Sequence, residues 1–256
     1  MSEVIVYGKN LSGSYHQALL KLKECGDVVD CSDWNTTCLE TSMTIVIEEP
    51  TSEPMISKCF IGGPHELQQY IMEMLDGILD FEVEKGNWVY TYHNRMVEMK
   101  TPDGNVINQI DFVVDELKRN PSSRRAVILV RNSEDLPSDD PACLQHIQYF
   151  IRDGKLECKV LFRSNDACKA SFMNMFALIM LQKRVADRVG VPVGTYTHRA
   201  NSYHCYERDF PSLDRYIERI QADEEGCITE YDGDWKEMMD DEIEDIMHTV
   251  EVLKSR

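Results

Sequence analysis

The sequence contains no C-x-x-C pair, no apolar run long enough to cross a bilayer and no surplus of basic side chains. A membrane-spanning helix needs about 20 apolar residues, so we expect no contact with a membrane. The N-terminal residues also lack the basic flank and the apolar core of a secretory signal. We therefore expect a cytoplasmic protein.

Metal-ligand spacing is absent among the nine cysteines, which stand at scattered positions along the chain. Zinc sites usually contain closely spaced pairs of cysteine or histidine, and disulfide frameworks usually contain an even number of cysteines. We therefore predict no metal and no disulfide framework. Most of the thiols should be buried as small apolar groups.

The charge of the chain is strongly negative. The formal net charge is -18, and residues 222–256 alone carry 13 acidic and 3 basic side chains. A field of this sign repels nucleic acid, so we exclude a non-specific nucleic-acid-binding protein. We interpret the acidic segment at about 222–256 as a solvated, helical surface.

Apolar patterning predicts a mixture of helices and strands in one domain. Short apolar runs predict strands at residues 4–7, 43–47 and 126–130. Helical spacing of apolar residues predicts helices at residues 64–79, 108–118, 172–189 and 234–253. Because the two kinds of element do not alternate strictly, we predict an α+β fold. Its helices would pack on a mixed or antiparallel sheet, in a single domain over residues 1–256.

Cys143 and Arg163 are the first candidates for catalysis. The residues between them alternate apolar and polar around a turn signal at residues 152–155, which predicts a β-hairpin. Cys143 would begin one strand and Arg163 would end its partner, so the two would lie close together. Because a free thiol titrates near about pH 8.5, a nucleophilic cysteine needs a cation beside it. We therefore interpret Cys143 as a nucleophile and Arg163 as its cation.

Further motifs occur in a fixed order between residues 66 and 206. They are Glu66-Leu67 with Tyr70-Ile71, Tyr90 with Arg95, Gln109-Ile110, Asn120-Pro121-Ser122-Ser123-Arg124-Arg125, Pro141-Ala142-Cys143, Gln148, Arg163-Ser164-Asn165-Asp166, Asn174, and His204 with Tyr206. In this order and spacing, the set resembles the thymidylate synthases, and within them the shorter archaeal-type branch. The resemblance implies a thymidylate synthase-like fold and the reductive methylation of dUMP to dTMP.

Cys143 has the chemistry that this reaction requires. Carbon 5 of uracil is a poor nucleophile until a thiolate adds at carbon 6 and converts the ring into an enolate. Asn174 offers an acceptor and a donor that match N3–H and O4 of uracil, although an amide can adopt either orientation. Donors at Asn174 and Asp166, or ordered water there, would stabilise the charge on the ring carbonyl. The resemblance implies 5,10-methylenetetrahydrofolate or methylene-tetrahydromethanopterin as cosubstrate.

The resemblance also assigns the phosphate of the nucleotide to arginine residues, whose planar groups suit it. Arg163 and Ser164 would bind it from the same subunit. Arg124 and Arg125 would reach the phosphate of the partner subunit in a homodimer, and Gln148 is placed among the substrate-binding residues. On the residues alone, capping of the helix at residues 111–118 or surface ion pairs would be the better explanation of Arg124 and Arg125, and only their place in the ordered set of motifs reverses this.

Four remaining residues complete the implied site. His204 and Tyr206 resemble the contact to the 3′-hydroxyl of the sugar, although a lone histidine is often a core residue. Tyr90 resembles the residue that moves the proton at carbon 5, and Glu66 resembles one that acts through ordered water. Glu66 also fits a helix-capping role, because the first turn of a helix favours a carboxylate.

The sequence departs from the family pattern mainly on the side of the one-carbon carrier. Leu144 follows the cysteine where many members have histidine, and Gln68 and Gln69 occur where a tryptophan-rich segment is expected. An N-terminal arginine loop and an apolar C-terminal tail are also missing. Two alternatives therefore stay open: a 5-hydroxymethylase acting on dUMP, dCMP or CMP, and a nucleotide-binding relative without turnover.

Overall fold

The computed structural model of the protein describes residues 2–255, apart from the side chain of Asp33. The domain predicted at residues 1–256 therefore extends one residue beyond the described chain at each end. In chain order, the strands are β1 (Glu3–Gly8), β2 (Asp27–Cys31), β3 (Thr36–Ile47), β4 (Ile56–Ser57), β5 (Met99–Lys100), β6 (Val106–Ile107), β7 (Val127–Leu129), β8 (Leu144–Arg152), β9 (Lys155–Asp166), β10 (Val193–Tyr206) and β11 (Ile228–Thr229). The α-helices are α1 (Leu11–Cys25), α2 (Pro64–Asp76), α3 (Phe81–Glu84), α4 (Tyr92–Val97), α5 (Gln109–Arg119), α6 (Ser171–Val189), α7 (Phe210–Ala222), α8 (Lys236–Asp241) and α9 (Ile243–Lys254).

A seven-stranded sheet is the centre of the fold. Its order is β1-β3-β10-β9-β8-β7, and β2 pairs with the N-terminal part of β3. The β1–β3 and β9–β10 pairs are parallel, whereas the other neighbours are antiparallel. The predicted α+β fold is therefore confirmed, and the sheet is mixed rather than purely antiparallel.

The hydrophobic core lies between one face of this sheet and the helices α1 and α6. Phe172 and Phe176 on α6 are fully buried, and the ring of Phe172 lies 5.3 Å from that of Tyr15 on α1. Aromatic pairs at this separation add stability beyond the area that they bury. Asn174 lies on the same turn of α6, so core packing fixes the position of that side chain.

The opposite face of the sheet is exposed and partly apolar. On β1, Val4 and Val6 are buried, whereas Ile5 and Tyr7 are 56% and 65% exposed. Leu129 on β7, near the other edge of the same face, is 46% exposed. Exposed apolar side chains on a sheet face can mark a surface that contacts another chain.

The predicted hairpin is present as β8 and β9. Asp153 and Gly154 form its two-residue turn with φ values of 50° and 75°, the left-handed region that Asp-Gly turns favour in hairpins. The strand register brings the ends of the hairpin together, and the backbone N–H of Arg163 donates to the carbonyl of Cys143 at 2.8 Å. The proximity of these two residues is therefore confirmed.

Two helix predictions differ from the structure. Helix α2 ends at Asp76 rather than at residue 79, because Gly77 adopts a left-handed φ of 64° and ends the helix. The helix predicted at residues 234–253 is divided into α8 and α9, which follow an irregular turn at Tyr231–Trp235. Helices α1 and α7 lie where no element is predicted. Among the described residues, none of the helices combines the length and apolar composition that a bilayer span requires.

Candidate active site

Cys143 lies on the wall of a cavity of about 460 Å³, which we call the thiol cavity. The cavity is bounded by the start of β8, the ends of β9 and β10, the first turn of α6 and the β2–β3 hairpin. Strand pairing and the packing of α6 bring together residues that are widely separated in sequence. The predicted site residues on its wall are Cys143, Arg163, Ser164, Asp166, Asn174, His204 and Tyr206.

Arg163 holds the loop that carries the thiol. Its Nη2 donates to the carbonyl of Pro141 at 2.6 Å, and its Nε donates to the carbonyl of Ala142 at 3.2 Å. The side chain of Gln145 donates to the same Ala142 carbonyl at 2.7 Å. These charge-assisted and amide hydrogen bonds fix the backbone on the N-terminal side of Cys143.

Burial raises the pKa of the Cys143 thiol above its ordinary value, and the carboxylate of Asp140 acts in the same direction. Arg163 lowers this pKa, as the sequence predicts, but its effect is smaller than that of burial. In the chain without substrate, the thiol is therefore mostly protonated at neutral pH. The role of Arg163 as the cation of a nucleophilic Cys143 therefore stays a prediction, with burial of the sulfur as the opposing effect.

Asn174 presents its amide to the thiol cavity from α6 and is only 4% exposed. The hydroxyl of Tyr70, on α2, donates a hydrogen bond to Asn174 Oδ1. Burial raises the pKa of Tyr70, with smaller contributions from Glu73, Tyr90 and Cys143. The phenol therefore stays protonated and can donate at neutral pH.

Asp166 and His204 occupy neighbouring positions at the ends of β9 and β10. Asp166 Oδ1 accepts from the backbone N–H groups of Cys168 and Lys169 at 3.0 and 2.9 Å. Burial lowers the pKa of His204, although Asp166 partly opposes this effect, so the imidazole is neutral at pH 7. The ring of His204 packs edge-on against Tyr206, with centroids 4.8 Å apart.

A second cavity of about 440 Å³ adjoins the first, and we call it the aromatic cavity. Tyr70 and Tyr92 belong to the walls of both cavities. Tyr90 lies on the aromatic cavity with Trp88, and burial raises the pKa of Tyr90 to about 12. Sequence reasoning did not select Tyr92 or Trp88 as site residues, although the aromatic run at residues 88–92 was a visible signal.

Arg95 supports the wall of the aromatic cavity from behind Tyr90. Its guanidinium lies 5.5 Å from the centroid of the Tyr90 ring, a cation–π distance. Its Nη2 also pairs with Asp135 at 2.8 Å, and the side chains of Arg95 and Asp135 are only 9% and 1% exposed. This ion pair is therefore almost completely removed from solvent.

The β2–β3 hairpin contributes a feature that sequence reasoning missed. Cys31 and Cys38 both line the thiol cavity, and their sulfur atoms lie 2.9 Å apart. Sequence alone could not pair them, because their contact depends on the register of β2 against β3. Among the side chains that the structure describes, which exclude that of Asp33, no group of three or more His, Cys, Asp or Glu is arranged to hold a metal ion.

Glu66 does not line the thiol cavity. It is exposed, and its Oε2 accepts from the backbone N–H of Gly63 at 2.8 Å, which caps the N-terminus of α2. This hydrogen bond lowers the pKa of Glu66. The structure thus gives Glu66 the capping contact, and its role in proton transfer stays a prediction.

Arg124, Arg125 and Gln148 also lie away from the thiol cavity of their own chain. Arg125 Nη2 pairs with the buried carboxylate of Glu116 at 3.0 Å, and Gln148 Nε2 donates to the Arg124 carbonyl at 3.0 Å. Hydrogen bonds from Ser123 and Arg119 lower the pKa of Glu116 to about 2. One chain alone does not bring these three residues to Cys143.

Comparison with known proteins gives the family of this chain. The family model described as thymidylate synthase matches residues 63–249. A protein of Methanocaldococcus jannaschii, provisionally named a thymidylate synthase, is 34% identical over 217 residues, which cover 81% of this chain and 93% of that protein. The thymidylate synthase of Bacillus licheniformis is 33% identical over 125 residues, which cover 48% of this chain and 44% of that protein.

The fold has a solved counterpart. The thermostable thymidylate synthase A of Bacillus subtilis superposes with a TM-score of 0.65 at 19% identity, covering 82% of this chain and 84% of that chain. This likeness shows a shared fold, while the family match and the methanogen relative show kinship in sequence. The protein therefore belongs to the thymidylate synthase family.

Proposed function

We propose that the protein methylates dUMP reductively to dTMP, with a methylene-tetrahydropterin as the donor of both carbon and hydride. The observation that carries this proposal is the position of the Cys143 thiol and the Asn174 amide on one cavity, with Arg163 beside them. A cavity of about 460 Å³ has the size of a small-molecule site.

Cys143 acts as the nucleophile in this proposal. The thiol first gives its proton to water, its sulfur then bonds to carbon 6 of the pyrimidine, and the π electron pair of the C5–C6 bond moves towards the oxygen at carbon 4. An amide donor from Asn174 stabilises the charge at that oxygen. Carbon 5 then attacks the one-carbon unit and loses its proton to a water molecule, for which the Tyr90 hydroxyl on the adjoining wall is the candidate to hold the water in place. The bond that joins the transferred carbon to the carrier breaks, and reduction of that carbon by the carrier's hydride, with departure of the sulfur from carbon 6, completes the reaction.

The rest of the nucleotide fits the polar end of the thiol cavity. Arg163 and Ser164 are the candidates for the phosphate, since both lie on this wall at the end of β9. His204 and Tyr206 are the candidates for the 3′-hydroxyl of the sugar. A neutral His204 can donate from one ring nitrogen and accept at the other, which suits a hydroxyl partner.

The aromatic cavity is the proposed place of the carrier. Trp88, Tyr90 and Tyr92 offer flat walls that suit a pterin ring, and Glu73 and Asp140 offer carboxylate acceptors for its amino group. In this proposal the carrier lies beside the pyrimidine, since the two cavities share Tyr70 and Tyr92. When bound, the carrier supplies the carbon and the hydride. Methylenetetrahydrofolate and methylene-tetrahydromethanopterin share the pterin and therefore both fit this proposal.

A homodimer is part of the proposal, with Arg124 and Arg125 reaching the phosphate site of the partner subunit. Two observations support it. Neither arginine lines the thiol cavity of its own chain, and the exposed sheet face with Ile5 and Tyr7 is suited to contact with a second copy.

Product mass tests the proposed function directly. The protein is incubated with dUMP and each carrier in turn, and the nucleotide product is identified by mass spectrometry, with Cys143→Ser as the matched control. We expect a methylated nucleotide from the wild type and none from the control. A hydroxymethylated nucleotide would replace the proposal by the hydroxymethylase alternative. Binding of dUMP without any product would favour the non-catalytic alternative.

A further inference from the structure

We infer that Tyr70 sets the base specificity of the thiol cavity by holding the Asn174 amide in one orientation. In this orientation, the site accepts a pyrimidine with a 4-oxo group and discriminates against one with a 4-amino group. The inference rests on the proposed function, because it concerns which pyrimidine nucleotide reacts at Cys143.

The contact that carries the inference joins two helices. Tyr70 projects from α2, Asn174 projects from the first turn of α6, and the Tyr70 hydroxyl donates to Asn174 Oδ1. Both residues line the thiol cavity with Cys143. Asn174 is almost fully buried, and Tyr70 packs against the core, so neither side chain turns freely. Tyr70 thus touches the group that reads the base.

The two pyrimidines demand opposite orientations of the amide. Uracil presents a donor at N3 and an acceptor at O4, whereas cytosine presents an acceptor at N3 and a donor at its 4-amino group. A carboxamide has one accepting oxygen and one donating nitrogen, so it must turn over to pair with the other base. An unrestrained asparagine could therefore read either base.

Tyr70 removes this ambiguity. Its hydrogen occupies one lone pair of Oδ1, and the second lone pair can still accept from N3–H while Nδ2 donates to O4. If the amide turned over, Nδ2 would face the phenol oxygen, and the phenol hydrogen would lose this acceptor. Because a buried donor without a partner is costly, the cytosine-reading orientation is disfavoured. The phenol keeps its proton at neutral pH, since burial raises its pKa.

The sequence shows both residues of this contact, but it does not show that they touch. The helical spacing of Tyr70 with neighbouring apolar residues suggests that it is an ordinary core residue. Residues 70 and 174 are 104 positions apart, and only the packing of α2 against α6 brings them together. Tyr70 is therefore a positioning residue that acts on the base through Asn174.

The test compares dUMP with dCMP in the wild-type protein and in Tyr70→Phe, which removes the hydroxyl and keeps the ring. For each nucleotide, kcat and KM are measured with an active carrier, and Kd is measured by calorimetry. We expect the preference for dUMP over dCMP to fall about tenfold in the variant, which corresponds to ~1.4 kcal/mol. In Tyr70→Phe, binding of dUMP should weaken and binding of dCMP should strengthen.

Tyr92→Phe is the matched control. Its hydroxyl lies on the same two cavities but accepts from the backbone N–H of Leu144 at 3.4 Å instead of contacting Asn174. Loss of that hydroxyl should affect both nucleotides alike and leave the preference unchanged. If Tyr70 served only for packing, Tyr70→Phe would likewise affect dUMP and dCMP equally. The preference for dUMP over dCMP therefore distinguishes a positioning role of Tyr70 from a packing role.

The outcomes separate this inference from the proposed function. If the wild type binds dUMP selectively but converts neither nucleotide, the proposed function fails, and the Kd ratio of Tyr70→Phe still decides the inference. If the wild type methylates dUMP and Tyr70→Phe keeps the full preference, the inference is overturned and the proposed function stands. Equal binding of the two nucleotides by the wild type would also overturn the inference.

Discussion

Replacing Asp135 by asparagine should destabilise the protein strongly, because it leaves the positive charge of Arg95 buried without its partner. The two side chains are 1% and 9% exposed, and Arg95 Nη2 lies 2.8 Å from Asp135 Oδ1. Breaking a buried ion pair on one side costs about 3–5 kcal/mol, because the remaining charge keeps its desolvation penalty. For a chain of this size, each kcal/mol lowers the melting temperature by about 2–4 °C. We therefore expect a fall of roughly 6–20 °C for Asp135→Asn.

The measurement is urea unfolding followed by tryptophan fluorescence, with a thermal scan as a second probe. Asp187→Asn is the control, since Asp187 pairs with Lys183 at 3.1 Å while both side chains are more than half exposed. That exposed pair should contribute less than about 1 kcal/mol. If the two variants lose similar stability, the reasoning about the buried charge is wrong. Removing both charges with Arg95→Met and Asp135→Leu should restore most of the stability, because no unpaired charge remains.

The same substitution should also affect activity selectively. Arg95 lies against the ring of Tyr90 on the aromatic cavity and does not line the thiol cavity. At a temperature where Asp135→Asn is fully folded, dUMP affinity should therefore stay near the wild-type value, while turnover falls. Calorimetry with dUMP and steady-state rates with an active carrier check this expectation. Unchanged turnover in the folded variant would show that Arg95 does not position Tyr90 for the reaction.

Three further predictions concern the thiols and the subunit interface. The alkylation rate of Cys143 should rise with pH through a midpoint above that of a free thiol, because burial raises its pKa; peptide mass spectrometry after iodoacetamide checks this, and a lower midpoint would contradict it. Arg124→Ala mixed with Cys143→Ser should regain activity in verified heterodimers, whereas no recovery would refute shared sites. Glutathione disulfide should join Cys31 to Cys38 first, since their sulfurs are 2.9 Å apart, with release of two glutathione thiols; peptide mapping that finds another pair would refute this.

Much of the fold could be predicted where local chemistry agrees with the final structure. The Asp153-Gly154 turn specifies a hairpin by itself, and this hairpin alone brings Cys143 to Arg163. Helix α5 begins where Asn108 caps it by accepting from the N–H groups of Ile110 and Asp111. These features depend on neighbours in the sequence, so a pattern of residues is sufficient to find them.

Helix α1 could not be predicted, because its inner face is partly polar. Ser12, Ser14 and His16 are fully buried there. The hydroxyl of Ser12 donates to the carbonyl of Pro54 at 2.6 Å, and His16 Nε2 lies 2.8 Å from the hydroxyl of Ser57. Those partners come from another part of the chain and make burial of the polar groups tolerable. Apolar periodicity cannot reveal a helix whose buried positions are satisfied by distant hydrogen bonds.

In the candidate site, too, the sequence identifies some residues, whereas contacts between distant parts of the chain appear only in the structure. The resemblance gave roles to residues that meet on the thiol cavity, but it gave none to Tyr70, which stands in its motifs, or to Cys31. The contacts of these two residues arise only from helix and strand packing. The resemblance also could not separate the capping contact of Glu66 from a place in the cavity, since both use a carboxylate in the first turn of α2. Residue types and spacing identify chemistry, whereas the partners of each group decide where it acts.

The protonation state of Cys143 shows why residue types alone do not decide how a group behaves. The sequence supplies the sign of the effect of Arg163, because a nearby guanidinium always favours a thiolate. It does not supply the opposing cost of burial, which depends on how β8, β9 and the loop around Asp140 enclose the sulfur. When two effects oppose each other, only the structure shows which one is larger, and here burial is larger. The reactivity of the thiol is therefore a property of the folded cavity, and a nucleotide that changes the charges around Cys143 would change it as well.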